Sequence, residues 1–399
     1  MRTPPLVHRS FEGLVHQDKP QATSGRICLL IRSLDVGGSE QQLVELARGL
    51  HARGVRVTVV TFYATGPLRE TLERDGVRVV CANKRSRWDL VGFLWRLVRI
   101  TKAERPRVLY SFLPTANLFA LLVRCFVHVE LVSWGVRASS LDTASYGGLV
   151  RAELILAARL ASLANVIICN SSAGLLHHAS LGYPEKRMHV IHNGIDTRRF
   201  SFDKNARVRV RAEWRVLDGE FLIGLVARVD PMKGHELFIR AASALAAELP
   251  QARFVCVGAG RPQTLSGLRA FCRQLGLAER LIWVDQRLDT PAVYSALDLL
   301  SSTSLFGEGF SNSIGEAMAC ERLCVVTDVG DAREIVSTHG WIVPPSDPGA
   351  LVAAWTEAAD LSAVRRAELG AAARQRIERD FSVARMVDET ASVLGLRAA

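Results

Sequence analysis

One feature of this 399-residue chain constrains its fold most strongly, the regular alternation of short apolar runs with amphipathic segments. In the first half, the runs rich in Val, Ile and Leu have the length of buried strands, and they lie at 26–32, 55–62, 77–82, 107–112, 129–134 and 165–170. The segment at 40–54 has apolar residues at helical spacing, with Gly54 as a stop signal. This alternation is typical of a parallel sheet that helices cover on both faces.

The alternation starts again in the second half of the chain. The second set of predicted strands lies at 221–227, 253–259, 281–284, 298–302, 322–328 and 341–345. The charged stretch at 196–214 has no core-strand pattern and is the predicted junction. We therefore predict a loose tail at 1–25, a doubly wound domain at 26–205, a second at 206–380, and a C-terminal helix at 381–399 that packs on one domain or bridges both. Ligands of such folds bind beyond the carboxyl ends of the strands, so the cleft between the domains is the predicted site.

The composition of the chain limits the classes of binding partner and the cellular compartments that are expected. The net charge of +10 favours an anionic partner, such as a phosphorylated substrate, an anionic membrane surface or nucleic acid. Nucleic acid fits least, because no nucleic-acid-binding module is present. The eight cysteines are scattered without metal-ligand spacing and are expected to be reduced thiols. Residues 1–25 lack the apolar core of a signal peptide, and no uncharged run reaches the roughly 18 residues that span a bilayer. We expect a cytoplasmic protein, with peripheral membrane contact left open.

The stretch ARVDPMKG, residues 227–234, places two cations around a turn. Arg228 follows a predicted strand, and Lys233 precedes a predicted helix. Fixed positive charge beside the free N–H groups of a helix start suits a phosphate group. The alternative is that both cations are ordinary solvated surface residues.

The stretch SLFGEGFSNSIGEAMAC, residues 304–320, contains two glutamates on either side of a polar turn. Ser311 is the predicted N-cap of the helix that follows. Glu308 and Glu316 would repel a phosphate but can accept hydrogen bonds from hydroxyl groups. Together with Arg228 and Lys233 they predict a ligand with a diphosphate between two sugars, a nucleotide-sugar. Taken singly, each glutamate is equally well explained as a loop or surface charge.

These two motifs, with VGGSEQQ (36–42) and IHNGIDTRRF (191–200), resemble glycosyltransferase family 4 from about residue 26 to the C-terminus. The resemblance implies the GT-B fold, an α/β architecture in which two Rossmann-like, doubly wound parallel-sheet domains face a deep interdomain cleft. It also implies a retaining transfer of a sugar from a nucleotide-diphosphate-sugar donor to a glycan or lipid-linked acceptor, in bacterial surface polysaccharide or glycolipid biosynthesis.

The resemblance also assigns roles to residues. Arg228 and Lys233 would hold the diphosphate and stabilise the leaving group, Glu308 would face the donor sugar, and Glu316 would bind the ribose hydroxyls. The remaining donor-binding positions are on glycine-containing loops: Gly37, Gly38, Gly309, Phe310, Ser311 and Asn312. The chain has no Asp-x-Asp motif, so the two cations are expected to replace a metal ion, and no cofactor is expected.

One position departs from the family pattern, and several other residues can be explained either by a role in the site or by a structural role. The family's N-terminal histidine is absent from VSWGVRAS (132–139), where Arg137 is a candidate contact for the acceptor or a phosphate. Arg261 and Arg287 follow predicted strands and are candidates for the nucleotide pocket or for solvated loops. The segment 192–194 is expected to shape the interdomain connection rather than to contact substrate.

The segment from Lys84 to Arg107 is strongly basic, with eight cations against two acids. A predicted core-facing stripe consists of Leu90, Phe93, Leu94, Leu97 and Val98, and the predicted solvent face carries Arg96, Arg99 and Lys102. One interpretation is an ordinary amphipathic helix. The other is a helix that docks on anionic lipid, where each nearby cation contributes about 1 kcal/mol.

Two other functions remain open from the sequence. A nucleotide-sugar epimerase on a similar fold would turn over the donor with no acceptor present. A non-catalytic sugar-nucleotide-binding partner would be expected to have lost charged site residues, whereas Arg228, Lys233, Glu308 and Glu316 are all present.

Overall fold

The computed structural model of the protein describes residues 25–86, 88–137 and 148–397. Within this part of the chain, the first domain contains a seven-stranded parallel sheet with the order β3-β2-β1-β4-β5-β6-β7. Its strands are β1 (Arg26–Ile31), β2 (Arg56–Thr61), β3 (Arg78–Cys81), β4 (Val108–Phe112), β5 (Leu131–Val136), β6 (Val166–Cys169) and β7 (Met188–Val190). Its helices are α1 (Gly38–Ala52), α2 (Leu68–Arg74), α3 (Val91–Glu104), α4 (Pro114–Arg124), α5 (Gly148–Leu160) and α6 (Ser172–Ser180). Among the strands of the described residues, the sequence analysis missed β7, which is three residues long.

The second domain repeats this arrangement. Its described residues form a six-stranded parallel sheet in the order β10-β9-β8-β11-β12-β13. Its strands are β8 (Phe221–Val226), β9 (Ala252–Val257), β10 (Leu281–Val284), β11 (Leu299–Ser302), β12 (Leu323–Thr327) and β13 (Trp341–Val343). Its helices are α7 (Lys204–Glu213), α8 (His235–Glu248), α9 (Pro262–Gln274), α10 (Thr290–Ala296), α11 (Asn312–Ala319), α12 (Ala332–Val336), α13 (Pro348–Asp360) and α14 (Ala363–Asp380).

Each sheet is buried on both faces, which explains why its strands are apolar at nearly every position. In β1, Ile27, Leu29 and Ile31 belong to the core beneath α1, whereas Cys28 and Leu30 belong to the core beneath α3 and α4. This alternation follows from the two-residue period of a strand. The prediction of two doubly wound parallel-sheet domains is therefore confirmed.

The last helix, α15 (Val383–Val393), returns from the second domain and packs on α1 of the first. The return passes beside the connection between the domains, where Ile195 and Ser382 form a β-bridge. A Cβ at Gly49 would lie 2.4 Å from a methyl of Val387, so glycine permits the close approach of α1 and α15. The chain thus crosses between the domains twice, which stabilises their relative placement.

The basic segment forms α3 largely as predicted, but two of its residues were wrongly assigned. Phe93 and Leu97 are buried, whereas Leu90 is 50% exposed and does not belong to the core-facing stripe. Arg96 does not face solvent; its guanidinium donates to the backbone oxygens of Ala82 (2.8 Å) and Asn83 (3.2 Å). A long side chain near the start of a helix can satisfy backbone acceptors of the preceding loop, which a helical period does not reveal. In the described residues, no helix has both the length and the apolar character needed to cross a bilayer.

Candidate active site

The loops that carry the residues predicted to bind the donor leave strands at the points where the strand order reverses. The order reverses between β1 and β4 in the first sheet and between β8 and β11 in the second. Gly37 and Gly38 follow β1, Arg228 and Lys233 follow β8, and the loop at 305–312, here named the donor loop, follows β11. Ligands of doubly wound sheets bind at such points.

These loops line a single cavity of about 840 Å³ between the domains. Its wall includes Arg228, Lys233, Glu308 and Glu316 from the second domain, and Gly37, Gly38 and Arg137 from the first. The four charged residues that the sequence analysis grouped into one site therefore do lie around one cleft, although Arg228 and Glu316 are 88 positions apart in the sequence.

A short turn positions Lys233. The carboxylate of Asp230 accepts a hydrogen bond from the backbone N–H of Met232 (3.1 Å) and so caps the 3₁₀ turn Pro231–Lys233. Gly234 then takes φ +64°, and a Cβ there would lie 2.0 Å from the backbone oxygen of Thr303. Only glycine fits both the positive φ and this contact. The turn thereby holds Lys233 against the loop that follows β11.

Lys233 and Glu308 form an ion pair inside the cleft. The Lys233 ammonium donates to Oε1 of Glu308, and the hydroxyl of Ser304 donates to the same oxygen at 2.6 Å. The side chain of Glu308 is only 9% exposed. Lys233, which is predicted to hold the diphosphate, is therefore in direct contact with Glu308, which is predicted to face the donor sugar. The positive charge of the first balances the negative charge of the second within the cleft.

Arg228 is the more accessible of the two predicted phosphate-binding cations. Its side chain is 69% exposed, and its guanidinium lies 3.1 Å from Oδ2 of Asp230. An exposed pair of this kind is weak and is readily exchanged for another anion. The guanidinium is thus available at the mouth of the cavity.

The donor loop contributes mainly backbone to the cleft. Ser311 occupies the N-cap of α11 as predicted, but its side chain makes no capping hydrogen bond and lies 3.2 Å from the hydroxyl of Ser313 instead. The ring of Phe310 packs against His192 and Phe381 and is 5% exposed, which restricts its potential ligand contacts. A Cβ at Gly309 would lie 2.6 Å from Oδ1 of Asn170, so glycine permits the close packing of the donor loop on the first domain.

Glu316 lies deeper, on the first turns of α11. The hydroxyl of Tyr294 donates to its Oε2 at 2.7 Å. Burial raises the pKa of Glu316, while the Tyr294 hydrogen bond and the charge of Arg199 act in the opposite direction. The second oxygen, Oε1, remains able to accept hydrogen bonds from a ligand's hydroxyl groups.

Arg137 lines the cavity as expected, but its guanidinium is already engaged. It donates to Oδ1 of Asn193 (3.1 Å) and to the hydroxyl of Tyr110 (2.9 Å), and it lies 4.2 Å from the ring centroid of Phe112. Asn193 in turn donates to Oδ1 of Asn312 at 2.7 Å. Arg137 therefore belongs to a polar chain that joins the first domain, the interdomain connection and the donor loop.

The cavity wall also contains polar residues that the sequence analysis did not select: Asn170, Asn193, Arg199, Gln286 and Thr290. Asn170 directly follows β6, so the strand-end rule applied to the first domain could have found it. Arg287 lines the cavity but is paired with Asp289 (2.7 Å) and Glu213, whereas Arg261 is not part of the wall.

Each of the two domains matches the model of a known protein family. Residues 36–199 match the family described as Glycosyltransferase Family 4, and residues 220–360 match the one described as Glycosyl transferases group 1. A D-inositol 3-phosphate glycosyltransferase of Salinispora tropica is 29% identical over 413 aligned positions, which cover 90% of this chain and 81% of the relative. A lipopolysaccharide core biosynthesis mannosyltransferase of Rhizobium meliloti, LpsB, is 33% identical over 41% of this chain and 48% of its own length.

Solved structures share the fold over nearly the whole chain. Anabaena Alr3699/HepE in complex with UDP and glucose superposes with a TM-score of 0.82 at 22% identity, covering 93% of this chain and 99% of the other. WaaG, a glycosyltransferase involved in lipopolysaccharide biosynthesis, superposes with a TM-score of 0.69 at 15% identity, covering 92% and 99%. The two facing domains and their cleft define the GT-B fold. The chain belongs to the GT4-type glycosyltransferases.

Proposed function

We propose that the protein transfers a sugar from a nucleotide-diphosphate-sugar to a hydroxyl group of a glycan or lipid-linked acceptor. The observation that carries the proposal is the placement of Arg228, Lys233, Glu308 and Glu316 around one interdomain cavity. The cations match a diphosphate, and the carboxylates match the hydroxyl groups on either side of it. The UDP and glucose bound by the HepE structure support a donor of this kind.

In the proposed complex, each charged group has one task. The guanidinium of Arg228 and the ammonium of Lys233 hold the diphosphate and stabilise the negative charge that develops when the sugar–phosphate bond breaks, which is the largest electrostatic demand of the reaction. Glu308 accepts hydrogen bonds from the sugar, and Glu316 accepts them from the ribose.

We propose transfer with retention of the anomeric configuration, as the family resemblance implies. The bond between the anomeric carbon and the phosphate oxygen breaks, the acceptor oxygen bonds to the same face of that carbon, and the acceptor proton passes to the leaving phosphate. The nucleoside diphosphate is the second product. The relative named for lipopolysaccharide core biosynthesis supports a role in surface glycan or glycolipid assembly.

A panel of nucleotide-sugars tests the donor. A ligand that binds only the folded state raises the melting temperature by mass action. We expect one UDP-, GDP-, ADP- or dTDP-sugar to raise the melting temperature of the full chain, and the same donor to give no shift with Glu316→Ala. That donor should then be consumed only when a glycan or lipid-linked acceptor is added. Consumption without an acceptor would instead support an epimerase, and no shift with any donor would contradict the proposal.

We also propose that catalysis needs no metal ion, because Arg228 and Lys233 supply the positive charge at the diphosphate. Transfer should persist within about twofold after treatment with EDTA, since fixed cations replace the Lewis acid. A complete loss of transfer that added Mg²⁺ or Mn²⁺ restores would contradict this part of the proposal.

A second proposal concerns peripheral membrane contact by a cytoplasmic protein. Trp88, Val91 and Trp95 at the start of α3 are 76%, 84% and 61% exposed, and the guanidinium of Arg99 lies 5.3 Å from the Trp95 ring centroid. Exposed indole rings beside cations suit the interface of an anionic bilayer.

Flotation with phosphatidylserine-containing vesicles tests the membrane proposal. We expect the protein to float with the vesicles at low salt and to be released at high salt, because salt screens exposed charges. Arg99→Glu with Lys102→Glu should abolish flotation, whereas Arg365→Glu, an exposed arginine on α14, should not. Flotation that is equal for all variants would contradict docking through α3.

A further inference from the structure

Away from the cavity, a buried carboxylate of the second domain caps a helix of the first. Asp331 is 4% exposed, and its Oδ2 and Oδ1 accept hydrogen bonds from the backbone N–H groups of Ser172 (2.7 Å) and Ala173 (2.9 Å). These are the first two N–H groups of α6, and the third, of Gly174, is bonded to the side chain of Ser171. A carboxylate at this position also interacts favourably with the positive end of the helix dipole.

The same carboxylate is paired with a histidine of the interdomain connection. Nε2 of His192 lies 3.1 Å from Oδ2 of Asp331 and 3.5 Å from Oε1 of Glu334, and the Ser172 hydroxyl donates to Glu334 at 3.2 Å. The imidazole of His192 and the carboxylates of Asp331 and Glu334 are close enough to one another to suggest a metal site. Both oxygens of Asp331 already accept backbone N–H groups, so an ion pair with a protonated imidazole fits the arrangement better than a metal ion.

The loop that holds Asp331 also contacts the donor loop directly. The backbone N–H of Asp331 donates to the oxygen of Gly309 at 3.1 Å. Gly330 adopts φ +63°, and a Cβ there would lie 2.3 Å from the backbone oxygen of Glu308. One residue therefore contacts the first domain through its side chain and the donor loop through its backbone.

We propose that Asp331 is a positioning residue that couples the docking of the two domains to the geometry of the donor loop. When its side chain is bonded to α6 and His192, its backbone fixes the oxygen of Gly309 and, through Gly330, the adjacent Glu308. When those interdomain bonds are lost, the donor loop is released. The coupling stands on these contacts; its consequence for sugar transfer rests on the proposed function.

Two variants break the interdomain bonds in different ways. Ser172→Pro removes one N–H donor to Asp331 at the first position of a helix, where proline is well tolerated. Ser171 before it is already extended (φ −157°, ψ 149°), as a residue preceding proline must be. Asp331→Asn removes the charge. Ser172→Ala is the matched control for the lost hydroxyl, and Asp328→Asn is the control for a lost carboxylate nearby.

Hydrogen–deuterium exchange of the full chain without nucleotide is the first measurement. We expect about tenfold faster exchange in residues 305–312 for Ser172→Pro and Asp331→Asn, and unchanged exchange there for both controls. The second measurement is transfer, in which kcat/KM should fall about tenfold in the two variants and stay within twofold in the controls.

Faster exchange confined to α6, with the donor loop unchanged, would overturn the proposal, because Asp331 would then be only a helix cap. Should Asp331→Asn fail to fold, Ser172→Pro alone decides between these outcomes. If the donor loop exchanges faster but the wild-type protein transfers no sugar from any donor, the coupling stands and the proposed function fails.

Discussion

The hydroxyl of Tyr294 donates a 2.7 Å hydrogen bond to Oε2 of Glu316, joining α10 to α11 at the inner end of the cleft. Tyr294 is 1% exposed, so its position is set by the core of the second domain. The bond orients the carboxylate and favours its charged form, in opposition to burial, which raises the pKa of Glu316. Tyr294 is thus a positioning residue for the predicted ribose contact.

Tyr294→Phe should weaken donor binding more than it slows turnover. Loss of a hydrogen bond to a charged group corresponds to a change of about tenfold or more, so we expect the donor KM to rise about tenfold while kcat falls by less than threefold. Calorimetric titration with the nucleoside diphosphate product should show the same loss of affinity. Tyr183→Phe, in the first-domain core, is the control; an unchanged affinity in Tyr294→Phe would contradict this role for Tyr294.

Lys233→Ala should reduce both activity and stability, for separable reasons. Its removal leaves the buried carboxylate of Glu308 with only the Ser304 hydroxyl as a described side-chain donor, which should destabilise the fold by about 1–3 kcal/mol. The double variant Lys233→Ala/Glu308→Gln should recover most of that stability, because it removes the uncompensated charge. Transfer should remain at least 100-fold reduced in both variants. Recovery of activity together with stability in denaturant titrations would show that Lys233 is structural only.

The ion pair of His192 should make stability depend on pH. Burial lowers the pKa of His192, but hydrogen bonds and charges from Asp331 and Glu334 outweigh burial and raise it to about 9. A raised pKa contributes stability that is fully present below the unfolded value of about 6.5 and is lost as the pH rises through about 9. The pKa of Glu334 is lowered, chiefly by its hydrogen bond with His192, so its contribution is lost instead as the pH falls below its folded pKa.

The difference in melting temperature between the wild type and His192→Gln should therefore be largest near pH 6 and should shrink between pH 6.5 and about 9. For a chain of this size we expect a difference of a few degrees, since 1 kcal/mol corresponds to about 2–4 °C. His189→Gln, an exposed histidine on β7, should show no such loss on the alkaline side. A difference that is constant from pH 6 to pH 10 would contradict the ion pair.

Gly309→Ala should push the donor loop away from the first domain, because the new Cβ would lie 2.6 Å from Oδ1 of Asn170 and 3.0 Å from the hydroxyl of Ser171. We expect kcat/KM to fall about tenfold, with a small loss of stability. The double variant Gly309→Ala/Asn170→Ala should recover part of the loss, since it removes the nearest obstructing atom. Gly267→Ala is the control, because a Cβ there meets nothing within 4 Å. Full activity of Gly309→Ala would show that this contact is not needed.

The prediction of the fold depended on properties that short segments carry by themselves. Apolar runs of four to eight residues separated by helical periods specify a parallel sheet with both faces covered, whatever the distant contacts are. The same local reasoning was insufficient at Leu90 and Arg96, where the faces of α3 depend on how the preceding loop packs. Local reasoning also did not show that the donor loop packs at Gly309 against Asn170 of the first domain.

The sequence by itself determined the two sheets and the strand ends at which Arg228, Lys233, Glu308 and Glu316 must lie, because the carboxyl ends of parallel strands share one edge. Only the tertiary structure decided which atoms are in contact. Lys233 and Glu308 are 75 positions apart, and Ser172 and Asp331 are 159 positions apart. Neither pairing leaves a local pattern, since each depends on the docking of whole elements, and the contacts of Tyr294 and His192 were set in the same way.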